Sequence, residues 1–114
     1  MKITVDSRRC IVDSFFMSEF DDKVVVVTGA GRGIGNGIAK RFASRGAKVA
    51  ALSRSLENAQ SCADALNAEF SESSKAYSVD VSDFEAMAEV GKSVLSDFGK
   101  VDVLVNNAGV TRDN

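Results

Sequence analysis

The chain has 114 residues, 45% of them hydrophobic and 26% charged, the make-up of one folded domain. Its net charge of −2, with no basic face interleaved with aromatics, argues against a nucleic-acid or anionic-membrane partner, and no apolar run reaches the ~20 residues of a membrane helix. Two cysteines without CxxC spacing and no histidine argue against a disulfide scaffold or zinc site and suit a reducing, cytoplasmic setting; Cys62 reads as a small packed residue.

Residues 1–20 lack the rhythm of the rest of the chain. Acidic Asp6 and Asp13 interrupt the short apolar clusters, which suits neither a signal peptide nor a transit peptide. Starting instead at Met17 leaves a short polar lead into the first strand, so residues 1–16 are expected to be disordered or upstream of the true start, with a functional arm as the alternative. Residues 21–114 form one domain.

A first strand is predicted from about Lys23 to Thr28, because four consecutive valines, Val24 to Val27, suit a strand buried on both faces. The turn Gly29-Ala30-Gly31-Arg32-Gly33-Ile34-Gly35 then runs into a helix with Ile34, Ile38 and Phe42 on one face and Gly46 at its C-terminal stop. A helix N-terminus offers unpaired N–H groups and partial positive charge, and glycines let the backbone approach a pyrophosphate. No Gly-Lys-Ser/Thr follows, which excludes a P-loop, and Gly-x-Gly-x-x-Gly is out of register because Ile34, Asn36 or Ile38 falls at its third glycine. The spacing present is Thr-Gly-x3-Gly-x-Gly, on Thr28, Gly29, Gly33 and Gly35. A tight turn without a ligand is the alternative.

Ala47 to Leu52 is the second predicted strand, and Ser53-Arg54-Ser55 stands at its end. Folds that hold NAD place an acid there for the ribose 2′-hydroxyl, whereas a 2′-phosphate requires arginine. No acidic residue lies between Gly35 and Leu56, and Arg54 and Arg32 are both near this position, which points to NADP(H); each arginine taken alone is a surface charge. A helix from Ser55 as N-cap to about Phe70 buries Ala59, Ala63, Leu66 and Phe70. A third strand, Lys75 to Val79, delivers Asp80 and Val81 to the carboxyl edge of the sheet, where Asp80 can accept from an adenine amino group or serve in ordinary turn chemistry. Ser82-Asp83-Phe84-Glu85 reads as a capping box before a third helix that turns Met87, Val90, Val94 and Phe98 inward and stops at Gly99. The fourth strand, Val101 to Val105, ends in Asn106-Asn107-Ala108-Gly109, small and amide residues that permit close approach to a ligand.

Taken in order, Thr-Gly-x3-Gly-Ile-Gly, Asp80-Val81 and Asn106-Asn107-Ala108-Gly109 resemble the N-terminal half of the short-chain dehydrogenase/reductase family over residues 21–114. Gly31-Arg32-Gly33, Ser53-Arg54-Ser55 and the tail Thr111-Arg112-Asp113-Asn114 are most similar to its 3-oxoacyl-[acyl-carrier-protein] reductases. The resemblance implies an α/β fold, a Rossmann-type doubly wound parallel sheet with strand order 3-2-1-4, so that 21–114 is a dinucleotide-binding domain truncated before its catalytic segment. It implies that Gly29, Ala30, Gly31, Arg32 and Ile34 hold the pyrophosphate and ribose phosphate, that Arg54 joins Arg32 on the 2′-phosphate, that Asp80 and Val81 flank adenine, and that Gly33, Gly35 and Ser53 belong to the same cofactor-binding set. Asn107, Ala108 and Gly109 then line the nicotinamide ribose, and Asn106 braces the sheet. The implied reaction passes hydride from NADPH to a ketone, free or bound to a carrier protein, while a tyrosine with a nearby lysine and serine protonates the oxygen. The only tyrosine is Tyr77, and the residue four positions on is Val81, so no catalytic residue is expected in this chain, which reads as a truncation inactive alone. A full-length form is implied to be a homo-oligomer. Without the family's next strand, Val101 to Val105 is expected to be an exposed apolar edge. A short-chain dehydrogenase of other alcohols and a non-catalytic NADP-binding remnant are the alternatives.

Overall fold

The computed structural model describes residues 3–6, 20–31, 33–70 and 74–107. In chain order these form β1 (Ile3–Asp6), β2 (Val24–Thr28), α1 (Gly33–Ser44), β3 (Lys48–Ser53), α2 (Leu56–Glu69), β4 (Ser74–Ser78), α3 (Phe84–Phe98) and β5 (Val103–Asn106). The strands make one sheet in the order β1-β5-β2-β3-β4, and every pairing is parallel. Read from the β4 edge, β4-β3-β2-β5 is the anticipated 3-2-1-4 arrangement, with elements shifted by one or two residues from their sequence bounds.

The run of valines in β2 explains why the sheet is covered twice. Successive side chains of a strand point to opposite faces. Val25 and Val27 join Val49, Ala51, Val103 and Val105 under Ile38, Phe42, Cys62 and Leu66 of α1 and α2. Val24 and Val26 join Ala50 and Leu52 on the other face, where Val94 of α3 is buried and Met87, Val90 and Phe98 are half-buried. A fully buried valine contributes roughly 1.5–3 kcal/mol, so β2 holds both halves of the core. Cys62 is free and buried, and that burial pushes its thiol pKa up.

Local signals set the ends of the elements. Ser55 caps α2 by accepting from the Asn58 N–H, and Gly99 ends α3 in the left-handed region at φ 89°. Gly46, at φ 96°, follows α1, and any Cβ there would collide with the Asp21 carboxylate. Phe20 enters the fold by donating its N–H to the Arg45 carbonyl and setting its ring edge-on to Phe42, 4.9 Å between centroids.

Three expectations are corrected. Val103–Asn106 is not an exposed edge, because Ile3–Asp6, expected to lie outside the fold, runs parallel beside it in the register Ile3↔Val103 to Asp6↔Asn106. Ile34, placed on the core face of its helix, is 59% exposed, since α1 begins at Gly33 and its first turn projects beyond the sheet. Ser82 does not open a capping box: its hydroxyl donates to Asp80 Oδ1 at 2.7 Å, so α3 starts one residue later with Asp83 as N-cap, accepting from the Ala86 N–H at 3.1 Å.

Candidate functional site

The carboxyl ends of β2, β3, β4 and β5 converge around the glycine turn. The Ala30 N–H donates to the Leu52 carbonyl at 2.9 Å, which folds the turn across the end of β3. Three of its glycines are required for three physical reasons. Gly31 lies so close to the next βα unit that a Cβ would stand 2.7 Å from Asn58 Cβ and 2.9 Å from Ser53 Oγ. Gly33 has open space around it but sits at φ 62°, where an L side chain is strained. Gly35, in the first turn of α1, lies against the start of the turn itself; a Cβ would collide with the Gly29 carbonyl oxygen and stand 2.7 Å from Asn107 Nδ2. Gly33 and Gly35 thus place no side chain of their own in the first turn of α1, where the backbone N–H groups lack helical acceptors.

A polar joint fixes the turn to β5. Thr28, the last residue of β2 and buried, donates its hydroxyl to the Val105 carbonyl at 3.2 Å and accepts the Asn107 N–H at 2.9 Å. Asn107 Nδ2 donates to the Gly29 carbonyl at 3.2 Å. Asn107 is 2% exposed, and its Oδ1 has no hydrogen-bond partner among the described residues. A buried acceptor without a partner beside a glycine turn is costly unless a bound group satisfies it.

The neighbouring strand ends complete the rim. Ser53 Oγ accepts from the Ser55 N–H at 3.3 Å, and the exposed Arg54 is held through its carbonyl, which accepts from Ser78 Oγ at 3.1 Å. Asp80 Oδ1 accepts both the Ser82 N–H, at 3.0 Å, and the Ser82 hydroxyl. These bonds, and the positive charge of Arg54 nearby, hold the Asp80 carboxyl below its usual range. Val81 is half-buried beside it. Gly29, Ala30, Gly31, Gly33, Ile34, Gly35, Ser53, Arg54, Asp80, Val81 and Asn107 thus share one edge of the sheet, while Arg32, Ala108 and Gly109 lie outside the described residues. Asn106 is exposed at the end of β5, and the bracing bonds expected of it are made by Asn107.

Two contributions escaped the sequence reading. Thr28 was part of the motif without a role, though a lone hydroxyl ending an all-valine strand signals a buried polar contact. Asn58, below Gly31, leaves no signal beyond its place three residues after the N-cap Ser55. Tyr77 belongs to a separate cluster: its hydroxyl donates to Asp97 Oδ2 at 2.6 Å, with Lys75 Nζ 3.7 Å from the other carboxylate oxygen. Among the described residues no helix is long and apolar enough to cross a membrane.

Known proteins share this arrangement. The short chain dehydrogenase family model matches residues 23–114. The 3-oxoacyl-[acyl-carrier-protein] reductase FabG of Escherichia coli (strain K12) is 44% identical over 95 residues, which are 83% of this chain and 37% of that protein. The chain therefore spans little more than a third of the length of that relative. Among solved structures, the 3-ketoacyl-(acyl-carrier-protein) reductase from Brucella melitensis complexed with NADH superposes with a TM-score of 0.72 at 41% identity, covering 77% of this chain and 34% of that one. A metagenomic short-chain oxidoreductase in complex with NADP gives 0.73 at 38% identity, covering 78% and 40%. The parallel sheet, the Thr-Gly-x3-Gly-x-Gly turn across its carboxyl edge and a family match over four-fifths of the sequence together make this chain a member of the short-chain dehydrogenase/reductase family.

Proposed function

We propose that the chain is the NADP(H)-binding half of a short-chain reductase acting on 3-ketoacyl thioesters of acyl carrier protein. The observation that carries the cofactor reading is the end of β3, where Arg54 stands exposed, within electrostatic reach of Asp80, at the position where an NAD-binding fold would present a carboxylate. The fit to a dinucleotide rests on the clearance enforced at Gly31 and Gly35 and on the unpartnered Oδ1 of Asn107. In this reading the N–H groups at the start of α1 hold the pyrophosphate, Arg54 and Arg32 hold the 2′-phosphate, and Asp80 and Val81 border the adenine. Asn107 orients the turn through the Gly29 carbonyl and offers Oδ1 to the ribose, with Ala108 and Gly109 beside it. The bound reduced nicotinamide supplies hydride to the ketone carbon.

With Tyr77 engaged by Asp97 and followed four residues on by Val81, the chain contributes binding and orientation and not the proton donor. Likeness to 3-oxoacyl-[acyl-carrier-protein] reductases supports the acyl substrate; a cytoplasmic setting and a homo-oligomeric longer form belong to the same reading. Titrating the chain with NADPH and NADH, followed by nicotinamide fluorescence, tests the reading. NADPH is expected to bind more tightly, and Arg54→Asp to weaken it about ten- to a hundredfold, the loss of one charge-assisted contact of roughly 1.5–3 kcal/mol. Equal affinities unaffected by that substitution would remove Arg54 from the site and the NADP(H) reading with it.

A further inference from the structure

β3 and β4 end side by side and deliver opposite charges to the rim. Ser53 pairs in register with Ser78, Ser78 Oγ donates to the Arg54 carbonyl at 3.1 Å, and the Val79 N–H donates to the Ser53 carbonyl at 2.9 Å. Arg54 and Asp80 therefore stand at adjoining strand ends, both exposed, and the charge of the guanidinium is felt at the carboxylate. Yet among the described residues the two form no ion pair, and neither the Arg54 guanidinium nor Asp80 Oδ2 has a hydrogen-bond partner there. Ser82 accounts for the separation. Asp80 Oδ1 takes the Ser82 hydroxyl at 2.7 Å and the Ser82 N–H at 3.0 Å, while the Asp83 N–H closes the turn on the Asp80 carbonyl at 2.9 Å. The other carboxylate of this turn, Asp83, is committed to α3 through the Ala86 N–H.

We propose that Ser82 is a positioning residue whose hydroxyl keeps the Asp80 carboxylate turned from Arg54, leaving Asp80 Oδ2 open to the adenine amino group and the Arg54 guanidinium open to the 2′-phosphate. This rests on the NADP(H) reading of the rim and names the contact that keeps its two determinants separate. Opposite charges at adjoining strand ends attract, and an arginine already paired with a carboxylate has part of its fork occupied and its charge cancelled. A 2′-phosphate would then meet a neutral pair with a negative group beside it. The main-chain N–H of Ser82 holds the carboxylate at one point, about which it can turn; the charge-assisted bond from the hydroxyl is the second hold. Adenine is common to NADPH and NADH, whereas the 2′-phosphate belongs to NADPH alone. Losing the hydroxyl therefore shifts the preference between the two cofactors, beyond any weakening that they share.

The test measures the affinities of the 114-residue chain for NADPH and NADH, by nicotinamide fluorescence, in the parent, Ser82→Ala, Ser82→Thr, Asp80→Asn and the double variant Ser82→Ala/Asp80→Asn. The ratio of the two affinities is the readout, because a general disturbance of the loop weakens both cofactors alike. Ser82→Ala is expected to lower the preference for NADPH about three- to tenfold, the effect of a weak exposed ion pair together with a negative charge brought nearer the phosphate. Ser82→Thr keeps the hydroxyl and should keep the preference. Asp80→Asn removes the competing charge, so both affinities should fall while their ratio stays at or above that of the parent. In that background Ser82→Ala should change the ratio by no more than about twofold, the coupling that a merely structural serine would not show. A parent without preference for NADPH would overturn the cofactor reading and this inference together. In a parent that prefers NADPH, a preference that survives Ser82→Ala, is lost in Ser82→Thr, falls in Asp80→Asn, or drops equally with and without Asp80 would overturn the inference alone.

Discussion

Gly35→Ala tests the contact on which the cofactor turn depends, and Gly37→Ala, half a helical turn away, provides its control. Alanine at position 35 drives a Cβ into the Gly29 carbonyl oxygen and to within 2.7 Å of Asn107 Nδ2. The first obstacle is main chain and cannot swing aside, so either the start of α1 lifts from the sheet or the turn opens, and the 3.2 Å bond from Asn107 to Gly29 is stretched. Overpacking of this kind costs roughly 1–3 kcal/mol and the lost hydrogen bond about 1, against which alanine's advantage over glycine in a helix returns about 0.5–1, leaving a net loss of about 2 kcal/mol. At Gly37 nothing lies within 4 Å of a built Cβ, so alanine there should gain about 0.5–1 kcal/mol. For a domain of this size the two variants should melt about 10 °C apart, on opposite sides of the parent, in thermal unfolding followed by circular dichroism. If Gly35→Ala melts with Gly37→Ala, the turn does not rest on α1 as described and the physical case for a preformed phosphate cradle fails.

Other consequences can be measured independently. Asp102 accepts the Val24 N–H at 2.9 Å, returns its own N–H to the Val24 carbonyl and lies 3.2 Å from Lys100 Nζ, so its carboxyl is held below the usual range, chiefly by the bond from Val24. A lowered folded-state value means this stability is present above the unfolded pKa of about 3.9 and is lost as pH falls through the lower folded value; Asp102→Asn should flatten urea stability against pH in that acid window, and Asp102→Ala should cost about 1–3 kcal/mol at pH 7 by orphaning the Val24 N–H. Tyr77, the only tyrosine in a chain without tryptophan, can be titrated alone at 295 nm. Burial first, and then the hydrogen bond and negative charge of Asp97, push its phenol upward, so ionisation should begin well above its ordinary value of about 10 and return there in urea. A raised folded value stabilises fully below pH 10 and is lost as pH climbs through it, and Asp97→Asn should bring the midpoint only part of the way down; a midpoint near 10 in the folded chain would contradict the described contact.

The parts of the fold legible in sequence were those where local and global preferences agree. Four valines without a polar break require a strand covered on both faces, and β2 is that strand; Ser55, Gly46 and Gly99 were read correctly because a cap or a left-handed φ is decided within one turn of chain. The errors arose where a distant partner decides. Ser82 fits a capping box as well as Asp83 fits an N-cap, and only the Asp80 carboxylate that takes its hydroxyl selects between them. Ile34 follows the helical period of Ile38 and Phe42, yet periodicity does not reveal that the sheet ends before the first turn of the helix. The pairing of Ile3–Asp6 was the least legible, since it is made with β5, a hundred residues away. At the site, the glycine spacing identified the turn, but the division of labour among Gly31, Gly33 and Gly35 requires coordinates.

The joint between Thr28 and Asn107 also constrains how the chain can be made. Its two residues are separated by 79 positions, and β5 fits between strands that were synthesised long before it. At roughly 5–20 residues per second, about 4–16 s pass between the emergence of Thr28 from a ribosome and that of Asn107. During that interval β2 can pair with β3 but has no neighbour on its other side, and four valines stand at an open boundary. Nascent chains of this protein should therefore be chaperone clients until residue 107 is free, and slow codons placed ahead of β5 should reduce soluble yield more than the same codons placed after it.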